Sequence, residues 1–244
     1  MKLAALIPCR SGSKRVPNKN FRDFCGKPLF AWTVDQAVES GLFDVIIVSS
    51  DVKIDYPHAQ WSNVIYDTKR PPELCTDEVT MERVMAYYMK KHPPMDVWCL
   101  LQPTSPLRAS EDITGAYKML VDDERDSVVS VYNDPLLFWV KDCVDVQGMM
   151  CPCASFHINQ RPNSQDRQDW FKENGAVYFT PNYTLAHTGS RCGGRVGLYP
   201  MPKERSYEID TEHDWELCEY LMSKRLNADN FALYQRCAGS DGGL

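Results

Sequence analysis

Apolar positions follow two alternating rhythms along this chain. Continuous runs such as "LAALIP" near the start, "DVIIVSSD" at 44–51, "DVWCLL" at 96–101 and "DSVVSVY" at 126–132 stop abruptly at polar residues. Runs of that length and β-branched content predict strands buried on both faces. Between them lie stretches with apolar residues three and four apart, the spacing of one helix face. "PLFAWTVDQAVESG" (28–41) closes on Gly41, "TDEVTMERVMAYYMKKHPP" (76–94) opens on a capping-type Thr-Asp and ends before a proline pair, and "SEDITGAYKMLVDD" (110–123) begins on Ser110. These predict three helices.

Strand, helix, strand, helix, strand implies an α/β fold: a Rossmann-like parallel sheet with helices on both faces. In such sheets ligands bind beyond the carboxyl ends of the strands. The polar tips Pro8–Asn20, Ser49–Asp51 and Gln102–Arg108 all follow strands, so they are expected to gather at one edge.

From about 133 to 172 the alternation breaks. Residues there read as strands and turns, then as a polar stretch without helical period, which points to an inserted arm within a single domain spanning 1–230. The α/β pattern then resumes with strands at 174–180 and 195–202. A helix follows over 210–226, with acidic residues in its first turn where they suit the dipole, and residues 231–244 read as a C-terminal tail.

The formal net charge of −6 argues against nucleic acid as a partner, and no run approaches the length needed to cross a bilayer. With the first apolar run too short for a signal peptide, the expectation is a cytoplasmic protein. The ten cysteines show no paired metal spacing, and five histidines show neither metal spacing nor a nucleophile partner. Reduced cysteines and no histidine-based chemistry are expected.

Against that acidic background, "LIPCRSGSKRVPNKN" (6–20) collects Arg10, Lys14, Arg15 and Lys19 in one turn. Ser11, Gly12 and Ser13 allow backbone N–H groups to face an anion, and several cations around a small turn suit a polyphosphate. The other reading is a solvated basic turn. The spacing is neither that of a P-loop nor G-x-G-x-x-G. Glu208 and Asp210 in "SYEIDTEHDW" are two apart in an extended stretch, so both project to one side. They suit a shared hard cation such as Mg²⁺; alternatively Asp210 or Thr211 caps the helix that follows. Arg108 either holds an anion or pairs with a neighbour such as Glu111.

Taken together and in order, "LIPCRSGSKRVPNKN", "GKPLFAWTV", "FDVIIVSSD", "RPPEL", "LLQPTSPLR", "ENGAVYF" and "YEIDTEHDW" resemble the acylneuraminate cytidylyltransferases, the family of CMP-sialic acid synthetases and their legionaminic, pseudaminic and deaminoneuraminic relatives. The resemblance spans about residues 3–222. It implies a homodimer with a protruding arm from the central insertion, which joins CTP to a nine-carbon 2-keto acid sugar with Mg²⁺ and releases pyrophosphate. It further implies that Arg10, Ser13, Lys14 and Lys19 bind the triphosphate and that Asn20, Arg70 and Thr80 contact the cytidine portion. Gln102 and Ser105 fall on the sugar side, with Gln165 and Arg167 of the arm, and Glu208 with Asp210 forms the metal pair. Arg10, Lys14, Lys19 and Asp210 would carry the catalytic charge. This chain departs from the family at Glu208, where Asp is common, and at Asn163-Ser164, where the arm usually carries two arginines; Arg161 or Arg167 would then supply that charge. A synthetase for the eight-carbon 3-deoxy-octulosonate and a CTP-binding sensor without turnover are the rival expectations.

Overall fold

The computed structural model describes residues 1–54, 56, 61–144, 150–155, 160–167 and 169–239. In chain order its elements are β1 (Leu3–Cys9), β2 (Asp23–Phe24), β3 (Lys27–Pro28), α1 (Leu29–Glu39), β4 (Val45–Ser50), β5 (Val64–Asp67), α2 (Met81–Lys91), β6 (Val97–Leu101), α3 (Ser110–Asp122), β7 (Ser127–Asn133), β8 (Trp139–Val144), β9 (Met150–Ala154), β10 (Phe171–Pro181), α4 (Asn182–Thr188), β11 (Val196–Pro200) and α5 (Glu212–Gly239).

Seven strands form the central sheet in the order β11-β7-β10-β6-β1-β4-β5. The strand pairs β1–β4, β1–β6, β4–β5 and β7–β11 are parallel, whereas β10 runs antiparallel to both β6 and β7. The expected α/β sheet is therefore present, with one strand reversed. A fully buried run such as "AVYF" carries no mark of its direction, so the alternation alone implied a parallel partner.

Period-two alternation divides β1 between two cores. Leu3, Ala5 and Ile7 pack with Phe30, Ala31 and Val34 of α1 and Ile113 and Ala116 of α3. Ala4 and Leu6 face the opposite way, among Val84, Met85 and Tyr88 of α2 and Leu185 of α4. Helices thus cover both faces. A third cluster joins Trp215, Cys218 and Met222 of α5 to Val16, Phe24, Leu29, Leu107 and Ile209. It pins the last helix against the basic turn that follows β1.

Several elements differ from the sequence expectation. β5 is a short, partly exposed edge strand, and α4 is a seven-residue helix; neither carries enough period to announce itself. α2 begins at Met81, not at Thr76, because Asp77 bonds to Arg10 and Lys14 in place of capping a helix. α5 continues to Gly239, so residues 231–239, expected in the tail, are helical; residues 240–244 lie outside the described set. Within the expected arm, β8 and β9 pair as a separate two-stranded sheet. Among the described residues no helix is long and apolar enough to cross a membrane.

Candidate active site

Because β1, β4 and β6 are parallel, their carboxyl ends open onto one edge. The reversal of β10 brings its amino-terminal part to the same edge: Val177 pairs with Leu101, and the bulged stretch at Asn174–Gly175, where the pairing of β10 with β7 shifts register, continues past it toward Gln102. A cleft of about 540 Å³ opens there. Of the residues expected in the site, Arg10, Ser13, Lys14, Lys19, Asn20, Arg70, Gln102, Glu208 and Asp210 line it, together with Arg15, Asp77, Met81 and Thr104.

The basic turn is braced from several directions. Ser11 donates its backbone N–H (2.8 Å) and its hydroxyl (2.9 Å) to Asp51 at the end of β4, and the Ser13 N–H donates to the Ser11 carbonyl. Two of the backbone donors expected to face an anion are therefore used within the protein, and the positive charge at the cleft comes from side chains. Arg10 donates to the Cys75 carbonyl (3.1 Å) and to Asp77 (2.5 Å), and Lys14 meets the other oxygen of Asp77 at 2.6 Å. Lys19 is buried. Its Nζ donates to the Ile209 carbonyl (2.5 Å) and lies 3.6 Å from Asp210. Burial holds the Lys19 ammonium below its ordinary pKa, against the opposing pull of Asp210 and Glu208. Arg15 reaches Asp210 at 2.9 Å.

Elsewhere in the cleft lining, Arg70 is buried and donates through Nε and Nη2 to the hydroxyl (2.7 Å) and carbonyl (2.6 Å) of Ser49. Asn20 donates to the Arg10 carbonyl at 2.9 Å, while its buried Oδ1 lacks a protein donor. A buried acceptor of that kind suits a hydroxyl or amino group from a ligand.

The carboxylate pair lines the same cleft beside the basic turn. Thr211 and Asp214 cap α5: the Asp214 carboxylate accepts from the backbone N–H groups of Asp210 and Thr211 and from the Thr211 hydroxyl, and the Asp214 N–H donates to Thr211 Oγ1. That reciprocal cap leaves the Asp210 side chain to the cleft. Glu208 accepts from the Thr104 hydroxyl at 2.9 Å, and burial, reinforced by the charge of Asp210, raises its carboxyl above the usual carboxylate range. Gly175, at φ +67°, sits beneath it. A Cβ there would stand 3.2 Å from both Glu208 oxygens and from Gln102 Nε2. This bulge in β10 is held by Asn174, which bonds to Ser130, Ser206 and the Ala176 N–H. These contacts account for the "NGA" in the sequence.

Thr80, Ser105, Gln165 and Arg167 are not among the residues lining the cleft. Thr80 flanks the start of α2, one residue before Met81. Ser105 is fully buried and donates to the Asn174 carbonyl at 3.3 Å. Gln165 is exposed in the 3₁₀ turn Ser164–Asp166. Arg167 is buried, donates to the carbonyls of Pro135 and Leu136, and lies 3.8 Å over the Trp170 ring. Arg108 neither faces an anion nor pairs with Glu111. It is sealed in the core, bonded to the carbonyls of Ala176 and Gln102 and to Thr33 and Gln36. Asp77, Thr104 and Gly175 escaped the sequence reading: the first looked like a helix cap, and the others act only through long-range contacts.

A mostly parallel sheet with a cationic, carboxylate-walled cleft at its carboxyl edge defines an α/β protein of the nucleotide-binding kind. The chain belongs to the cytidylyltransferase family, whose model, described as "Cytidylyltransferase", matches residues 4–236. It is 32% identical over 220 residues to N-acylneuraminate cytidylyltransferase A of Danio rerio, covering 89% of this chain and 50% of that protein. It is also 32% identical over 233 residues to the CMP-N,N′-diacetyllegionaminic acid synthase of Legionella pneumophila, covering 91% of this chain and 97% of that one. The chain thus spans about half the length of the N-acylneuraminate cytidylyltransferases it matches, and nearly all of the legionaminic acid enzyme. A solved CMP:2-keto-3-deoxy-manno-octonic acid synthetase complexed with CTP shares the fold at a TM-score of 0.62 and 17% identity, covering 92% of this chain and all of that one.

Proposed function

We propose that this chain activates a nine-carbon, sialic-type 2-keto acid by transferring CMP to it from CTP. The observation that carries this reading is the meeting, in one cleft, of a four-cation turn and the Glu208–Asp210 carboxylate pair. Membership in the family supports it.

Arg10, Ser13, Lys14 and Lys19 hold the triphosphate in this reading. Arg70 and the unpartnered Asn20 Oδ1 face the cytidine portion, with Thr80 at its margin. Gln102 faces the sugar; Ser105 braces the Asn174 bulge of β10, and Gln165 and Arg167 belong to the arm. The sugar's anomeric hydroxyl oxygen bonds to the α-phosphorus of CTP. The bond from that phosphorus to the β-phosphate bridging oxygen breaks, pyrophosphate leaves with the electron pair, and the hydroxyl proton passes to solvent. Little covalent work falls to the protein; holding the partners in line and offsetting phosphate charge is the main contribution.

Glu208 and Asp210 fit a divalent cation. Both are hard oxygen donors, burial disfavours the Glu208 anion in the absence of a cation, and Gly175 puts no side chain against the Glu208 oxygens. Mg²⁺ commonly takes one or two carboxylates and completes its shell with water and phosphate oxygens. When bound, Mg²⁺ supplies charge neutralisation to the phosphates and the departing pyrophosphate.

The same reading includes a cytoplasmic homodimer formed through the arm of residues 133–172. Leu136, Phe138, Trp139 and Phe171 expose large apolar surface there, side chains that a partner subunit would cover. Light scattering should give twice the chain mass; a monomer at micromolar concentration would contradict this.

Incubation with CTP, Mg²⁺ and a panel of keto acids should yield CMP esters of nine-carbon acids, read by product mass. Turnover of only the eight-carbon acid would overturn the nine-carbon assignment.

A further inference from the structure

We infer that Asp77 is a built-in competitor for the phosphate subsite, a carboxylate that an incoming polyphosphate displaces and whose return helps pyrophosphate to leave. This rests on the reading of the basic turn as a phosphate site.

Asp77 stands in the place of an anion. Its Oδ1 lies 2.5 Å from Arg10 and its Oδ2 lies 2.6 Å from Lys14, one oxygen to each cation, as two oxygens of a phosphate would bridge them. Asp77 also lines the cleft itself. Asp210 faces the other two cations, Arg15 and Lys19, but belongs to the carboxylate wall. Asp77 comes from a different segment, the irregular stretch between the 3₁₀ turn Pro72–Leu74 and α2.

That stretch is built to let go. α2 starts four residues later, at Met81, so moving the Asp77 carboxylate unwinds no helix. The pair is open to water, with the Lys14 side chain 83% exposed and that of Asp77 38% exposed. Ion pairs in that setting are weak and easily exchanged, whereas a di- or triphosphate brings more charge and more acceptor oxygens to the same cations. Space exists beside the carboxylate. Asp77 lines the cleft and also a hollow of about 280 Å³, which it shares with Arg10, Gly12, Lys14, Thr76 and Glu78. The open hollow can receive the carboxylate when phosphate takes its place.

The consequence follows from competition. When an internal anion occupies the subsite for part of the time, the apparent affinity for phosphate falls by the fraction of time the subsite is free. Tight ground-state binding of CTP or pyrophosphate does not speed the chemical step, and weakening both favours product exchange.

The test is a calorimetric titration of inorganic pyrophosphate and tripolyphosphate, at one fixed ionic strength, into the full chain and the variants D77N, D77A and E73Q. Glu73 is exposed in the neighbouring 3₁₀ turn, so E73Q makes the same charge change away from Arg10 and Lys14. D77N and D77A should bind pyrophosphate about three- to tenfold more tightly, the scale of two exposed ion pairs, with E73Q within about twofold of the parent. Pyrophosphate should also become a stronger product inhibitor of D77N by the same factor. Unchanged or weaker binding by D77N, or an equal gain in E73Q, overturns the inference. Polyphosphate binding by the parent without a gain in D77N removes this inference alone; failure of parent and variants alike to bind polyphosphate removes the phosphate reading of the turn as well.

Discussion

Asp210→Asn should lower turnover by about a hundredfold or more, the scale seen when a charge-stabilising group is removed from a reaction site, while the fold stays intact. The fold survives because the start of α5 is capped by Thr211 and Asp214, and Asp210 contributes only its backbone N–H to that cap. Its side chain, 42% exposed, points to the cleft and to Arg15 and Lys19. Asparagine keeps the size but removes the charge, so the proposed cation site loses one of two anionic donors. Arg15 and Lys19 lose their counter-charge at the same time, so CTP binding without metal should hold or tighten. The expected pattern is therefore a fall in kcat without a rise in the CTP dissociation constant. Near-parental Mg²⁺-dependent turnover would remove Asp210 from the metal pair.

The second large effect is on stability. Arg108→Ala should lower the melting temperature by about 10 °C, since each kcal/mol moves a domain of this size by about 2–4 °C. The guanidinium is fully buried and donates to the Ala176 carbonyl (2.6 Å), Thr33 Oγ1 (2.9 Å) and Gln36 Oε1 (3.0 Å), with a longer contact to the Gln102 carbonyl (3.4 Å). Burial pushes its pKa down to about 10, which still leaves it cationic at neutral pH. Alanine strands those acceptors in a sealed core at about 1–3 kcal/mol each, and a cavity adds to that. Arg108→Lys should recover little, because a compact ammonium cannot fork to acceptors on α1 and β10 together. Calorimetric melting within about 2 °C of the parent in the alanine variant would mean that the acceptors find other partners.

Arg108 also marks where sequence reading stops. Its place in "LLQPTSPLR", after a buried strand, suggested either an anion ligand or a partner of a neighbour such as Glu111, yet its partners Thr33, Gln36 and Ala176 are about 70 residues away in sequence. Nothing local announces such contacts. The same holds for Asp77, whose neighbours read as a helix start until Arg10 and Lys14 are brought beside it. The gathering of the turn after β1 with Gln102–Thr104 after β6 was legible because parallel strand direction follows from the α/β alternation. The direction of β10 was not, and that reversal is what delivers Gly175 to Glu208. Glu208 and Asp210 were legible as a same-side pair from period two, but the competing cap reading needed the observed Thr211–Asp214 bonds to exclude it for Asp210. The residues expected from the arm, Gln165 and Arg167, lie off the cleft wall of this single chain, where local pattern offered no means of placing them.

The central claim is that this cleft moves a cytidylyl group from CTP to a keto acid. Phosphorus NMR of the protein with CTP, Mg²⁺ and a nine-carbon 2-keto acid sugar tests it most directly. The expected spectrum loses the three CTP signals and gains one phosphodiester and one pyrophosphate signal in equal amounts, only when the acid is present. Intact CTP in the presence of every acid offered, with CTP nonetheless bound, would contradict the claim and leave a nucleotide sensor in its place.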